Sequence, residues 1–232
     1  MTAPVTEVPA TDVVVVVPVF ANRPTLAPLA RRLAIALDGR DWRLRLVDDA
    51  SPDASLDEAR RLAAAAPHIG VTAMAVNGGQ HRALLRGLAD EPGADAWVCL
   101  DADLQDPPEA VPALLDRLAA GDVGAVFAGR RGAYQPSARL LTGRLHRAAL
   151  SRLTGLPPDA GAFVALGRTV RDALVRLQPP SIVAGIGVSG EPVASVPVTR
   201  SLRPAGGSAW TSTARLTQSA RTLAWAAAHS QR

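Results

Sequence analysis

Trp97-Val98-Cys99-Leu100-Asp101-Ala102-Asp103-Leu104-Gln105-Asp106-Pro107-Pro108-Glu109 is the stretch that decides the fold class. It begins as an apolar run and ends in a cluster of oxygen ligands. The apolar part reads as a buried strand. Pro107 and Pro108 stop that strand. Pro108 or Glu109 can open a helix, because proline is tolerated in a first helical turn. Asp101 and Asp103 therefore stand at the carboxyl end of a buried strand, where open α/β sheets bind their ligands. Two carboxylates one residue apart, beside the amide oxygen of Gln105, suit a hard divalent cation that also holds a diphosphate. The tripeptide Asp-X-Asp alone is also a common loop element that caps the next helix.

Upstream, the same alternation repeats. Val13 to Phe20 is a β-branched run that predicts a central parallel strand, and Ala21-Asn22-Arg23-Pro24 breaks it. Leu26, Leu29, Leu33 and Leu37 then line one helix face. A second strand, Trp42 to Val47, ends in Asp48-Asp49-Ala50-Ser51-Pro52-Asp53, and a helix follows over Leu56 to Ala66. A third strand, Val71 to Val76, ends in Asn77-Gly78-Gly79-Gln80-His81 before a helix over Arg82 to Ala89. Beyond the opening stretch, Val111 to Ala119 predicts a helix and Val123 to Ala128 a fifth strand. Strand and helix in alternation give a mainly parallel sheet flanked by helices with right-handed crossovers. Each strand ends in Gly, Asp or Pro, which marks one sheet edge as the working edge. Gly78-Gly79 lacks the flanks of a dinucleotide-binding glycine fingerprint.

After Gly129 the pattern changes. Leu140, Leu141, Leu145, Ala148, Ala149 and Leu153, interleaved with Arg139, Arg144, Arg147 and Arg152, predict a basic amphipathic helix. Its Leu face can cover the sheet and its Arg face can meet an anionic leaflet. Phe163 to Leu166 reads as a short strand and Val170 to Leu177 as a helix. Ser181 to Val198 is rich in Gly, Val and Pro and predicts short edge strands. Ala209 to Ala228 predicts a terminal helix that rests on a membrane or pairs with a second subunit.

At 232 residues the chain reads as one domain with enough apolar residues, 48%, for a core. All 25 basic residues are Arg, and the net charge of +4 favours phosphates or an anionic membrane surface. Cys99 is the single cysteine, so no internal disulfide can form; it reads as a small core residue, and a reducing cytosol fits. Met1 to Thr11 does not read as a secretory signal. The run Val13 to Phe20 is too short to cross a bilayer.

Taken together, the strand-end motifs resemble family 2 glycosyltransferases over roughly residues 12 to 225. Pro18-Val19-Phe20 resembles the family's first nucleotide motif. Val47-Asp48-Asp49-Ala50-Ser51 resembles the second, in which an Asp accepts from the base. Asn77-Gly78-Gly79-Gln80-His81 is similar to undecaprenyl-phosphate aminoarabinose transferases. Asp101 to Glu109 resembles dolichol-phosphate mannosyltransferases. Gly129-Arg130, Asp159-Ala160-Gly161 and Arg203 with Gly206 and Ser208 resemble the acceptor-side elements.

The resemblance implies a GT-A-type, Rossmann-like α/β domain over 1–232, with C-terminal amphipathic helices. Residues 12–130 would form the nucleotide-sugar half, and 131–232 the acceptor half and terminal helix. It implies Mg²⁺ or Mn²⁺ on Asp103, Asp101 and Gln105. Pro18, Phe20, Asp48 or Asp49, Gly79, His81, Asp101 and Ala102 would hold the donor. The acceptor phosphate would meet Arg130, Arg139 and Arg203. Asp101, Asp103 and Asp159 are the catalytic candidates, Asp159 as general base where the acceptor is a hydroxyl.

The implied partners are a nucleotide sugar and a polyprenyl phosphate or small-molecule acceptor, with peripheral contact at the inner face of the plasma membrane, a homodimer, and no nucleic acid. Two departures stand out: Ala209 replaces the late Lys, and Val164-Ala165 replaces an Arg. They keep open an inverting transfer to polyprenyl phosphate, the same donor chemistry on a soluble acceptor, and a non-catalytic nucleotide-sugar-binding protein.

Overall fold

In the computed structural model, residues 11–131, 148–200 and 212–230 are described. The centre is strand β1 (Thr11–Val19). Val13, Val15, Val17 and Val19 point into one core, and Val14 and Val16 into another, as a period of two requires. An uninterrupted valine run is thus a strand covered on both faces.

The other strands are β2 (Trp42–Asp48), β3 (Ile69–Ala73), β4 (Ala94–Cys99), β5 (Ala125–Arg131), β6 (Val164–Gly167) and β7 (Val193–Thr199). They form one sheet in the order β3-β2-β1-β4-β6-β5-β7. β6 runs antiparallel to β4 and β5, and the remaining pairs are parallel.

Helices α1 (Arg23–Ala36), α2 (Ser55–Ala65) and α4 (Val111–Ala119) cover one face; α3 (Gln80–Asp90), α5 (Arg168–Leu177) and α6 (Ile182–Val188) cover the other. A 3₁₀ turn, Pro108–Ala110, leads into α4, which places the proline-opened helix as expected. Trp97 is fully buried, and its indole N–H donates to the Glu91 carbonyl at 2.7 Å. The guanidinium groups of Arg171 and Arg168 lie 5.3 and 5.7 Å from its ring centre.

The terminal helix α7 (Ser212–His229) packs Ala226 against Ala184 of α6 and Leu150 of a helical segment at 148–154. Of the basic amphipathic helix expected over 139–153, residues 139–147 lie outside the described residues. Among the described residues, no helix is long and apolar enough to cross a membrane.

Two sequence expectations are corrected. Ser181 to Val198 is not a set of short strands: it opens with α6 and only then forms β7. Tertiary packing overrides the β-branched composition, because Ile182, Ala184, Gly185 and Ile186 are buried. Gly185 is required there, since a Cβ would come within 2.5 Å of Leu174 and Pro179. The third strand starts two residues earlier than expected, with Ile69 paired to Leu44. It ends at Ala73, leaving Val76 64% exposed beside the working edge.

Candidate active site

From β1 the chain winds to β2 and β3 on one side, and β4 lies on the other side of β1. The strand order therefore reverses between β1 and β4, which opens a crevice at their carboxyl ends. Four loops meet there. Ala21, Ala50 and Leu104, in the loops after β1, β2 and β4, have φ of 54°, 54° and 59°. A non-glycine residue in this left-handed region costs about 1–3 kcal/mol and persists where its surroundings hold it. Around Ala21 the holding bonds are visible: Phe20 N–H donates to Asn22 Oδ1 at 3.0 Å, and Asn22 N–H to Ser55 Oγ at 2.9 Å.

The two candidate base acceptors separate. Asp49 accepts the backbone N–H groups of Gly78 at 2.6 Å and Gly79 at 2.8 Å, one on each carboxylate oxygen. It shapes the glycine turn that starts α3, where Gly79 has φ of 84°. Asp48 Oδ2 accepts from Ser51 N–H at 3.1 Å, while its buried Oδ1 has no protein partner. Of the pair, Asp48 offers the acceptor. Asp53, not either of these, bonds Ser55 at the start of α2. Pro18 is buried in β1 and Phe20 is exposed at its end.

The acidic loop is tied from two sides and from within. Gln80, the first residue of α3, donates to Asp101 Oδ1. Gln105 N–H donates to Asp103 Oδ1 at 3.1 Å. Arg200, one residue beyond β7, grips Asp106 with two bonds, Nε to Oδ1 at 2.7 Å and Nη2 to Oδ2 at 3.0 Å, and its Nη2 lies 3.7 Å from Asp101 Oδ2. Burial alone would lower the Arg200 pKa, but the charges of Asp106, Asp101 and Asp103 raise it. Ala102 is buried in the core and can offer only its backbone to a donor. Cys99 is buried beneath the loop; burial and the Asp101 charge push its thiol pKa up, so it is no nucleophile.

Among the described residues no three His, Cys, Asp or Glu side chains gather into a metal cage. The donor set still fits a hard cation, because Mg²⁺ and Mn²⁺ are commonly held by one or two carboxylates with substrate phosphates completing the shell. His81, second residue of α3, is buried enough to lower its pKa to about 4, and its Nδ1 is shielded without a protein partner. It is a neutral hydrogen-bonding group at neutral pH, not a cation for phosphate.

Beyond β6, Asp159 Oδ2 accepts from Ser195 Oγ at 2.9 Å, and its buried Oδ1 has no protein partner. The carboxylate lies against Gly129, where a Cβ would meet it at 2.2 Å. Arg130 follows in β5, its backbone paired in register with Val198. Arg139 and Arg203 lie outside the described residues. Gln80, Ser195 and Arg200 were not singled out from sequence. Gln80 sits inside the Asn77–His81 motif, but nothing in composition separates Arg200 from the other Arg residues. A cavity of about 380 Å³ lined by Arg43, Arg45, His68 and Glu91 lies at the opposite, amino-terminal edge of the sheet, away from all these groups.

The family model described as Glycosyl transferase family 2 matches residues 14–164, which hold the four loops and Asp159. The chain belongs to this family. As a family 2 glycosyltransferase domain it is 37% identical over 186 residues to the undecaprenyl-phosphate 4-deoxy-4-formamido-L-arabinose transferase of Pseudomonas paraeruginosa, covering 76% of this chain and 53% of that protein. It is 30% identical over 204 residues to the dolichol-phosphate mannosyltransferase of Pyrococcus furiosus, covering 83% and 57%. The chain thus spans little more than half the length of these relatives.

Solved structures share the fold. A mannosyltransferase from Pyrobaculum calidifontis in complex with GDP-Man and Mn²⁺ superposes with TM-score 0.62 at 21% identity, covering 92% of this chain and 62% of that one. Glucosyl-3-phosphoglycerate synthase from Mycobacterium tuberculosis, with Mn²⁺, UDP and phosphoglyceric acid, gives 0.69 at 20%, covering 95% and 79%. The α/β, GT-A-type architecture expected from the sequence is the one found.

Proposed function

We propose that the protein is an inverting, metal-dependent glycosyltransferase that moves a sugar from a nucleotide sugar to a polyprenyl phosphate at the cytoplasmic membrane face. The observation that carries this reading is the series of contacts at the β1/β4 crevice that joins the loop after β1 to the loop after β2, that loop to the glycine turn after β3, and that turn to Asp101 through Gln80. The names of its polyprenyl-phosphate-using relatives support the acceptor class. Asp48 Oδ1 takes a hydrogen bond from the nucleobase. Asp101, Asp103 and Gln105 would hold the cation. A bound Mg²⁺ or Mn²⁺ supplies Lewis-acid stabilisation of the diphosphate leaving group.

An acceptor phosphate, with a second pKa near ~6, is largely dianionic at neutral pH and needs no base. One of its oxygens forms the new bond to the sugar C1 from the face opposite the diphosphate. The C1–O bond to the donor breaks, and the nucleoside diphosphate leaves with the electron pair. Arg130, Arg139 and Arg203 neutralise the acceptor, since guanidinium groups bind phosphate bidentately.

One observation favours a second reading. Asp159 Oδ1 is a buried acceptor without a protein partner, which suits a hydroxyl acceptor that must give up a proton. Calorimetric titration with UDP and GDP in the presence of Mn²⁺ tests the donor reading. Absence of binding by the wild type, or undiminished binding by Asp103→Ala, refutes it. Sugar transfer to a short-chain polyprenyl phosphate, against transfer only to hydroxyl compounds, decides the acceptor.

A further inference from the structure

Arg200 and Asp106 form the most enclosed ion pair near the acidic loop. Their side chains are 7% and 3% exposed. The pair joins the residue after β7 to the loop after β4, across 94 positions of sequence. Between β4 and β7 in the sheet lie β6 and β5, so the contact is made over the sheet edge and not through strand pairing.

The second nitrogen that binds Asp106 also approaches Asp101 at 3.7 Å, on Oδ2. Gln80 holds the other oxygen of that carboxylate. Asp101 is therefore oriented from α3 on one side and from the β7 exit on the other. Within the loop itself Leu104 sits at φ 59°, a conformation that needs external support.

We propose that Arg200 is a positioning residue for the metal loop. It sets the Asp101–Asp106 turn through Asp106. The inference rests on the donor reading above.

Charge and geometry make opposite predictions for Arg200. A fixed positive charge beside Asp101 repels an incoming cation, so charge alone predicts that removing Arg200 tightens metal binding. The two-point grip on Asp106 orients the loop, so geometry predicts that removal weakens it. An outer-shell partner of this kind typically changes metal affinity roughly 10–100-fold. Geometry dominates because the pair is enclosed and bidentate, and a lysine cannot reproduce a planar fork.

The test measures the Mn²⁺ dissociation constant by electron paramagnetic resonance, with UDP or GDP present according to which the wild type binds. Arg200→Lys, which keeps the charge, is expected to weaken Mn²⁺ binding about 10-fold or more. Asp106→Asn should weaken it comparably, and Arg200→Lys with Asp106→Asn should be no worse than the poorer single variant, because both act through one contact. The double variant Arg200→Met with Asp106→Leu separates positioning from stability. An apolar pair can replace a buried ion pair without loss of stability, so its melting temperature should stay near wild type while Mn²⁺ affinity remains low.

Mn²⁺ affinity within twofold of wild type in Arg200→Lys overturns the inference. So does recovery of Mn²⁺ affinity together with stability in the apolar double variant. If the wild type binds neither nucleotide with Mn²⁺, the donor reading itself falls.

Discussion

Replacing Gly129 by alanine adds one methyl group to β5 and tests where Asp159 stands. The new Cβ would lie 2.2 Å from Asp159 Oδ2 and 2.4 Å from Ser195 Oγ, where ordinary contact begins at 3.4 Å. Each oxygen must retreat by about 1 Å, because a strand held between two neighbours cannot move instead. The 2.9 Å bond between Ser195 and Asp159 is then lost. Overpacking costs about 1–3 kcal/mol. Ser195 is exposed, so water replaces much of the lost bond, and the expected fall in unfolding free energy is about 2 kcal/mol.

The sign is informative. Gly129 does not adopt a left-handed φ, and Gly→Ala at a compatible position stabilises by about 0.4–1 kcal/mol. Where the acceptor is a hydroxyl and Asp159 the base, transfer should suffer more than stability, since a 1 Å misplacement near the chemistry can reduce rate on the order of 10²-fold; transfer to a polyprenyl phosphate, which needs no base, should fall less. Nucleotide affinity should hold within about twofold, because Asp48 and Asp101 lie on the far side of β6. Urea unfolding, calorimetric titration and a transfer assay read the three quantities. A variant as stable and as active as wild type would refute the packing of Asp159 against β5.

Asp49→Ala should cost about 2 kcal/mol in urea unfolding, because two backbone N–H groups lose a charged acceptor; it should also weaken nucleotide binding, and unchanged values would mean the glycine turn does not depend on Asp49. Glu109→Gln disrupts a bidentate but exposed pair with Arg32 and should change stability by less than about 1 kcal/mol, so a larger loss would show that the pair is shielded in solution. Burial holds the folded pKa of His81 near 4 against 6.5 for the free side chain, so between those values the unfolded chain binds the extra proton. Its contribution is complete above about pH 6.5 and is lost as pH falls toward 4. The urea midpoint of His81→Gln should therefore be flatter than wild type between pH 6.5 and 4, and an equal slope would refute neutral burial.

Much of the stretch from residue 12 to 130 was legible because its signals are local. Valine runs, a helix opened by proline, and acidic or glycine turns at strand ends each follow from a few adjacent residues. The positions of Asp48, Asp49, Asp101, Asp103 and Gln105 at one edge came from that pattern alone. The division of labour between Asp48 and Asp49 did not, because it depends on where Gly78 and Gly79 return in space. Arg200 was hidden for the same reason: its partner is 94 residues away. α6 is not legible in the sequence because Ile182-Val183-Ala184-Gly185-Ile186 favours a strand locally, while burial against α5 decides for a helix.

The antiparallel strand β6 also has a consequence in time. Cys99, at the end of β4, pairs with Val164, a residue made 65 positions later. At about 5–20 residues per second, β4 emerges from the ribosome roughly 3–13 s before its second neighbour exists. During that interval one edge of the strand that presents Asp101 is an open template for another chain. The newborn protein thus carries a temporary open edge beside its acidic loop, and that window closes when Val164–Gly167 slots into the sheet.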